Sequence, residues 1–227
     1  MNGIPLVHVP GFSRPAGLPG LPGLSGLPAF DGSGIDGGLY TDITRDAQHA
    51  PWLLNDTVST WSAFGLGLFA VLMLAAWWQA RRSDSPMMAR ALATPLVVAV
   101  VYGVDMMLKA LVREERPCRS IPGSFTLESC PVHGDWSFPS NHAVIAFAAA
   151  TALWLVERRL GAVAVLAAVA MAASRVWIGV HYPHDVAGGA LLGIALALPL
   201  TVFATRGTPW VERARKGRLR PLLLTPA

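Results

Sequence analysis

Residues 161–185 read GAVAVLAAVAMAASRVWIGVHYPHD, and this stretch decides the fold. From Ala162 to Val180 it runs apolar for close to the ~20 residues that a helix needs to cross ~30 Å of hydrocarbon. A backbone in lipid has to satisfy its own hydrogen bonds, so the run is read as a helix. Its end changes character: Ser174, Arg175, His181, His184 and Asp185 follow one another within a few turns. Ionisable residues at the end of a membrane helix point to a site at one face of a bilayer.

Four further apolar runs lie on either side, approximately Val58–Ala80, Ala91–Leu111, Pro139–Val156 and Val186–Thr205. The expected fold is all-α, a polytopic helical membrane protein with five transmembrane helices. Pro95 and Pro199, inside two of the runs, are expected to kink them. Composition agrees: 53% of the 227 residues are hydrophobic and only 14% charged. A net charge of +4 without any acidic or basic block gives no sign of a nucleic-acid partner. The expected partners are the bilayer and a membrane lipid.

Residues 1–38 are read as a flexible Gly/Pro-rich tail. The repeat GLPGLPGLSGLP at 17–28 is too short for a collagen helix. Leu39 to Asp56, LYTDITRDAQHAPWLLND, is amphipathic and is expected to form a helix lying on the membrane surface. The first 50 residues hold no apolar core preceded by basic residues, so no cleavable signal peptide is expected. Residues 39–206 form the expected membrane-embedded domain, and 207–227 a basic tail. Arg81, Arg82 and Arg90, then Arg158 and Arg159, then the tail cluster from Arg206 to Arg220 fall on one side of a five-span layout. The positive-inside rule makes that side cytoplasmic and turns the Arg113–Phe138 loop and the His181–Asp185 turn outward.

Three strings converge on that outer side: Lys109-ALVREE-Arg116-Pro117, Pro139-Ser140-Asn141-His142, and Ser174-Arg175-VWIGV-His181-YPH-Asp185. Lys109, Arg116 and Arg175 supply three fixed cations for a phosphate whose oxygens gain charge during transfer. A lysine at a helix end often only snorkels, with Asp105 one turn earlier as its partner, but convergence with two arginines favours function. Pro139 to Asn141 read as a helix start, with Ser140 or Asn141 as cap, and a helix amino terminus also favours an anion. His142 and His181 are candidates for acid and nucleophile, and Asp185 can hold His181 in one tautomer. His184 and Asp185 beside His181 have metal-ligand spacing, yet three cations in the same pocket repel a divalent ion, so no metal and no cofactor are expected. Cys118 and Cys130 share the outward loop, where a close pair is expected to form a disulfide.

These strings resemble the signature motifs of the type 2 phosphatidic acid phosphatase and vanadium haloperoxidase superfamily: K-x6-RP, PSGH and SR-x5-H-x3-D. The resemblance implies an all-helical, metal-independent phosphatase. It implies phosphate binding by Lys109, Arg116, Ser140 and Arg175, with Ser174 and Asn141 alongside. It implies phosphorylation of His181, support from Asp185, and protonation of the leaving group by His142. Asn141 stands where the family usually has glycine. Either a left-handed backbone is needed there, which Asn tolerates, or the side chain reshapes the phosphate seat. The short amino-terminal arrangement looks like bacterial undecaprenyl pyrophosphate phosphatases associated with bacitracin resistance. The expected function is therefore hydrolysis of a lipid phosphate or pyrophosphate, with undecaprenyl pyrophosphate leading. Phosphatidic acid or phosphatidylglycerol phosphate hydrolysis, lipid phosphotransfer and non-catalytic lipid-phosphate transport are the alternatives. The sequence carries no signal for oligomeric state.

Overall fold

The computed structural model describes residues 29–224, and the regular structure among them is all helical. The Gly/Pro repeat lies outside the described residues. Helix α1 spans Ser33–His49, α2 Trp52–Phe64, α3 Leu66–Ala80 and α4 Ser85–Val112. A short α5, Pro117–Ser120, sits in the long loop, followed by α6 Asn141–Val156, α7 Arg158–Trp177 and α8 Pro183–Phe203. A 3-10 turn, Ala204–Gly207, leads into α9 Thr208–Lys216, and α10 Arg220–Leu223 closes the described chain.

Three expectations for the amino-terminal part are corrected. The tail boundary at residue 38 falls inside α1, whose Gly37 and Tyr40 are buried. The amphipathic stretch 39–56 is not one helix: Ala50 is extended before Pro51, as a residue preceding proline prefers, and α2 starts afresh at Trp52. The apolar run Val58–Ala80 is bent by 52° between α2 and α3. Gly65 marks the bend, where a Cβ would stand 2.5 Å from the Trp61 carbonyl and 2.8 Å from Met171 Cε. The carbonyl and ring of Trp61 one turn earlier leave no room for a side chain at the bend, which is why glycine stands there.

Local signals account for the other helix starts. Asp84 caps α4 by accepting the Met87 N–H at 2.9 Å, with Pro86 in the first turn. Glu157 caps α7 by accepting the Leu160 N–H at 2.7 Å. Pro95 and Pro199 sit inside α4 and α8, which run through them without a break.

Helix α6 is the centre of the bundle, packed by α3, α4, α7 and α8. Its alanines at 143, 146, 148, 149, 150 and 152 are all buried. Small side chains let neighbouring helices approach closely, which is how membrane helices associate when lipid offers no hydrophobic drive. Gly189 and Gly193 of α8 complete this contact: a Cβ on either would lie 2.8 Å from the carbonyl of Ser140 or Val144. That contact draws the amino-terminal ends of α6 and α8 together.

By length and composition, α4, α7 and the helix running from Pro183 to Lys216 are able to cross a membrane, and the bent α2–α3 pair, taken as one unit, is a fourth candidate. At 16 residues, about 24 Å of rise, α6 is shorter than the others. The basic carboxyl segment is helical and docked: Arg81 donates to the Pro221 carbonyl at 2.8 Å, and Arg215 to Ser85 Oγ at 3.1 Å.

Candidate active site

The turn between α7 and α8 places His181 deep in the protein, 1% exposed. Gly179, at φ +84°, makes the turn, and a Cβ there would meet the Phe125 carbonyl at 2.5 Å. His181 Nδ1 lies 3.2 Å from Asp185 Oδ2, and its Nε2 lies 3.1 Å from Arg116 Nη1. A guanidinium only donates, so Nε2 accepts and the ring proton is on Nδ1, pointing at Asp185. Asp185 Oδ2 also accepts from the Tyr182 N–H at 2.7 Å and from the Ser137 hydroxyl. Burial holds the His181 pKa well below its ordinary value, and the charges of Arg116, Lys109, Arg175 and His142 reinforce it. The imidazole is therefore neutral at pH 7, with a lone pair on Nε2 aimed into a cluster of cations.

Each cation is held by a different element. Lys109, in the last turn of α4, donates to the Trp136 carbonyl at 2.8 Å. Asp105, one turn earlier, is fully buried, and its carboxylate has no hydrogen-bond partner. Arg116 caps α5 and donates to the Asp135 carbonyl at 2.8 Å, to Asp135 Oδ1 at 3.0 Å and to the Val180 carbonyl at 2.9 Å. Arg175, near the end of α7, donates to Ser62 Oγ of α2 at 2.6 Å. All three are buried, with at most 7% exposure.

Ser140 takes the N-cap position of α6, but its hydroxyl makes no capping bond. The backbone N–H of Ser140 instead donates to the Asp185 carbonyl at 3.1 Å, while its buried Oγ has no hydrogen-bond partner. Pro139 precedes the helix rather than starting it. His142 stands half-buried in the first turn of α6 and contributes to the field on His181.

Two expected site residues are placed differently. Ser174, beside Arg175, turns its hydroxyl back to the Met171 carbonyl at 2.7 Å, a local bond within α7. Asn141 has ordinary helical backbone, so left-handed tolerance is not its role; its Nδ2 faces Met106 Sδ at 3.8 Å.

Cys118 and Cys130 are joined as a disulfide in the loop that carries α5. Ser62, Glu114, Asp135 and Ser137 were missed by the sequence reading. Only Ser62 left a usable signal, as a polar residue within an apolar run. Among the described residues, Glu114, His184 and Asp185 bring donor atoms within 4.8 Å of one another, the spacing of a possible cation site.

The comparisons with known proteins follow the same map. The chain is 34% identical over 130 residues to the bacitracin transport permease protein BcrC of Bacillus licheniformis, covering 57% of this chain and 62% of that one. It is 32% identical over 162 residues to the putative undecaprenyl-diphosphatase YbjG of Escherichia coli, covering 69% and 76%. The chain thus spans less than two thirds of the length of several curated relatives, the Bacillus protein among them. The crystal structure of Aquifex aeolicus LpxE matches with a TM-score of 0.58 at 25% identity, over 73% of this chain and 94% of that one. The PAP2 superfamily model matches residues 90–208, a window that holds all three strings, and the chain belongs to that superfamily.

Proposed function

We propose that this protein is a metal-independent membrane phosphatase that hydrolyses a lipid phosphate or pyrophosphate through a phosphohistidine at His181. The observation that carries the reading is the buried, neutral imidazole of His181. Asp185 and Arg116 fix its tautomer, and Lys109 and Arg175 join Arg116 in the cluster around it. In the first step His181 Nε2 forms a bond to phosphorus as the bond to the lipid oxygen breaks. His142 gives its proton to that oxygen, and Asp185 stabilises the positive charge growing on the ring. Water then attacks phosphorus as the bond to His181 Nε2 breaks, gives a proton to His142 and releases phosphate, leaving His181 neutral again. Lys109, Arg116, Arg175 and the unpartnered Ser140 hydroxyl hold the phosphoryl oxygens. Asn141 faces Met106 at the rim and shapes the approach.

Undecaprenyl pyrophosphate is the proposed substrate, supported by the undecaprenyl-diphosphatase names of several relatives. The proposed topology counts the α2–α3 pair, α4, α6, α7 and α8 as five spans. It places the site on the extracytoplasmic face and the arginine-rich carboxyl end in the cytoplasm.

Phosphate release by detergent-purified protein is measured on undecaprenyl pyrophosphate, phosphatidic acid and phosphatidylglycerol phosphate, with chelator present. Turnover fastest on the first, with acid-labile phosphate on His181 in rapid quench, is the expected result. Turnover abolished by chelator, or no enzyme-bound phosphate in rapid quench, refutes the mechanism.

A further inference from the structure

His184 is not needed by the chemistry above, yet both of its ring nitrogens and both of its ring faces are engaged. Its Nδ1 lies 2.7 Å from Asp36 Oδ1, and its Nε2 lies 2.7 Å from Glu114 Oε1. Its backbone N–H donates to Asp36 Oδ2 at 2.7 Å. Both ring nitrogens face carboxylate oxygens, which only accept, so both carry protons and the ring is an imidazolium. Tyr182 stacks on the ring at 5.2 Å and Phe138 at 6.1 Å, each presenting a π face to the cation. The side chain is only 17% exposed.

The third carboxylate near this cation is Asp185. Its Oδ1, buried and without a hydrogen-bond partner, lies 3.7 Å from His184 Nε2. Its other oxygen receives the His181 proton. Glu114 is also buried, 2% exposed, so Asp185 and Glu114 form a pair of like charges out of water beside the reacting histidine. Such a pair shares a proton unless a cation sits beside it. His184 is that cation, and the amino-terminal segment holds it in place. Phe30 pairs with the backbone of residues 113 and 115, and Gly32 packs where a Cβ would overlap Glu114. Tyr40 donates to the Gly179 carbonyl at 2.9 Å.

We propose that His184 is a positioning residue: pinned as an imidazolium between Asp36 of α1 and Glu114 of the first motif, it favours the ionised form of the Asp185 carboxylate, whose charge stabilises the positive charge that grows on His181. The proposal rests on His181 being the nucleophile. The groups facing His184 are Asp36 from α1, Glu114 from the loop after α4, Asp185 from α8, and the Tyr182 ring from the turn before it.

The test measures single-turnover phosphoenzyme formation by the full-length protein in detergent, across pH, for wild type, His184→Gln, Asp185→Asn and the double variant. His184→Gln is expected to slow formation by up to about tenfold, the loss that follows from neutralising Asp185 itself. KM should hardly move, and the low-pH limb should shift to higher pH. The double variant should be no slower than Asp185→Asn alone, because His184 acts through the Asp185 charge. His184→Lys, which keeps a cation, should recover part of the rate. Losses that multiply in the double variant, or an unshifted pH limb in His184→Gln, overturn the proposal. Chelator-sensitive activity restored by zinc also overturns it, because Glu114, His184 and Asp185 would then be metal ligands. Absence of phosphoenzyme in wild type refutes the nucleophile reading itself, which separates the two failures. If His184→Gln does not fold, Asp36→Asn, which loosens the imidazolium from the α1 side, should shift the same limb.

Discussion

Replacing Asp185 by asparagine separates two things that the carboxylate does: fixing a tautomer and supplying a charge. Oδ2 accepts from three donors, namely His181 Nδ1, the Tyr182 N–H and the Ser137 hydroxyl. The Tyr182 N–H cannot turn away, so an amide at this position places its oxygen where Oδ2 was and its NH2 toward Glu114. His181 Nδ1 then still donates, the tautomer survives, and only the charge is lost. A hydrogen bond to a charged group contributes about 1.5–3 kcal/mol and a neutral one about 0.5–1.5 kcal/mol. The difference, roughly 1–1.5 kcal/mol, corresponds to about tenfold in rate. Asp185→Asn should therefore slow phosphoenzyme formation about tenfold, measured in rapid quench at saturating lipid pyrophosphate. An amide held the other way round would accept nothing from Nδ1, put the proton on Nε2 and remove the nucleophile. The comparable swap in a serine-protease triad costs about 10⁴-fold for that reason. A loss of that size here would refute the claim that the backbone N–H of Tyr182 dictates the orientation.

Ser62→Ala removes the hydroxyl that holds Arg175 and should lower kcat/KM about tenfold, the equivalent of roughly 1.5 kcal/mol for a hydrogen bond to a charged group. Steady-state kinetics on the same lipid check it, and an unchanged kcat/KM would show that Arg175 is oriented without Ser62. His142→Ala should cripple phosphoenzyme formation from phosphatidic acid, where general acid catalysis contributes about 10²–10⁴-fold, far more than from a lipid pyrophosphate. An alkoxide leaving group needs the proton, whereas a departing phosphate scarcely does; equal losses in single-turnover quench would leave His142 without an acid role. His181, whose pKa is lowered in the folded protein, binds a proton more readily when unfolded. Stability should therefore be fullest above its ordinary value of 6.5 and decline as the pH falls below it. The decline in unfolding temperature between pH 7.5 and 5 should shrink in His181→Gln, and an unchanged slope would contradict a neutral buried imidazole.

The helices and the cation cluster were legible because both are written in local strings. An apolar run of a given length has few folded states in lipid, and Lys109, Arg116, Arg175, His181 and Asp185 lie at the ends of such runs. Where the structure adds to that reading, a particular local contact or residue decides, which a pattern of apolar positions does not encode. The bend at Gly65 sits where the carbonyl and ring of Trp61 exclude a Cβ, and the division at Pro51 outweighs an amphipathic pattern that continues across it. Ser174 reads as part of a motif, yet a bond three residues back within its own helix decides where its hydroxyl points.

The amino-terminal segment shows most clearly why residue identity alone falls short. Gly32, Gly34, Gly37 and Gly38 continue the glycine-rich composition of residues 1–28, so nothing in that composition separates a loose tail from a strap. Asp36 bonds His184 across 148 residues, and Gly32 has no side chain because Glu114 occupies the space. The amphipathic stretch from Leu39 to Asp56, whose first half lies in α1, has the pattern of a helix resting on a membrane. The buried side of α1, Tyr40 and Thr44 included, packs on the protein, while Ile35 and Leu39 stay exposed. A helix so placed touches the turn that carries His181 and His184, through Tyr40 and Asp36. The same placement ties Asp36, the one carboxylate that α1 gives to His184, to the ionisation of Asp185 on the far side of the imidazolium.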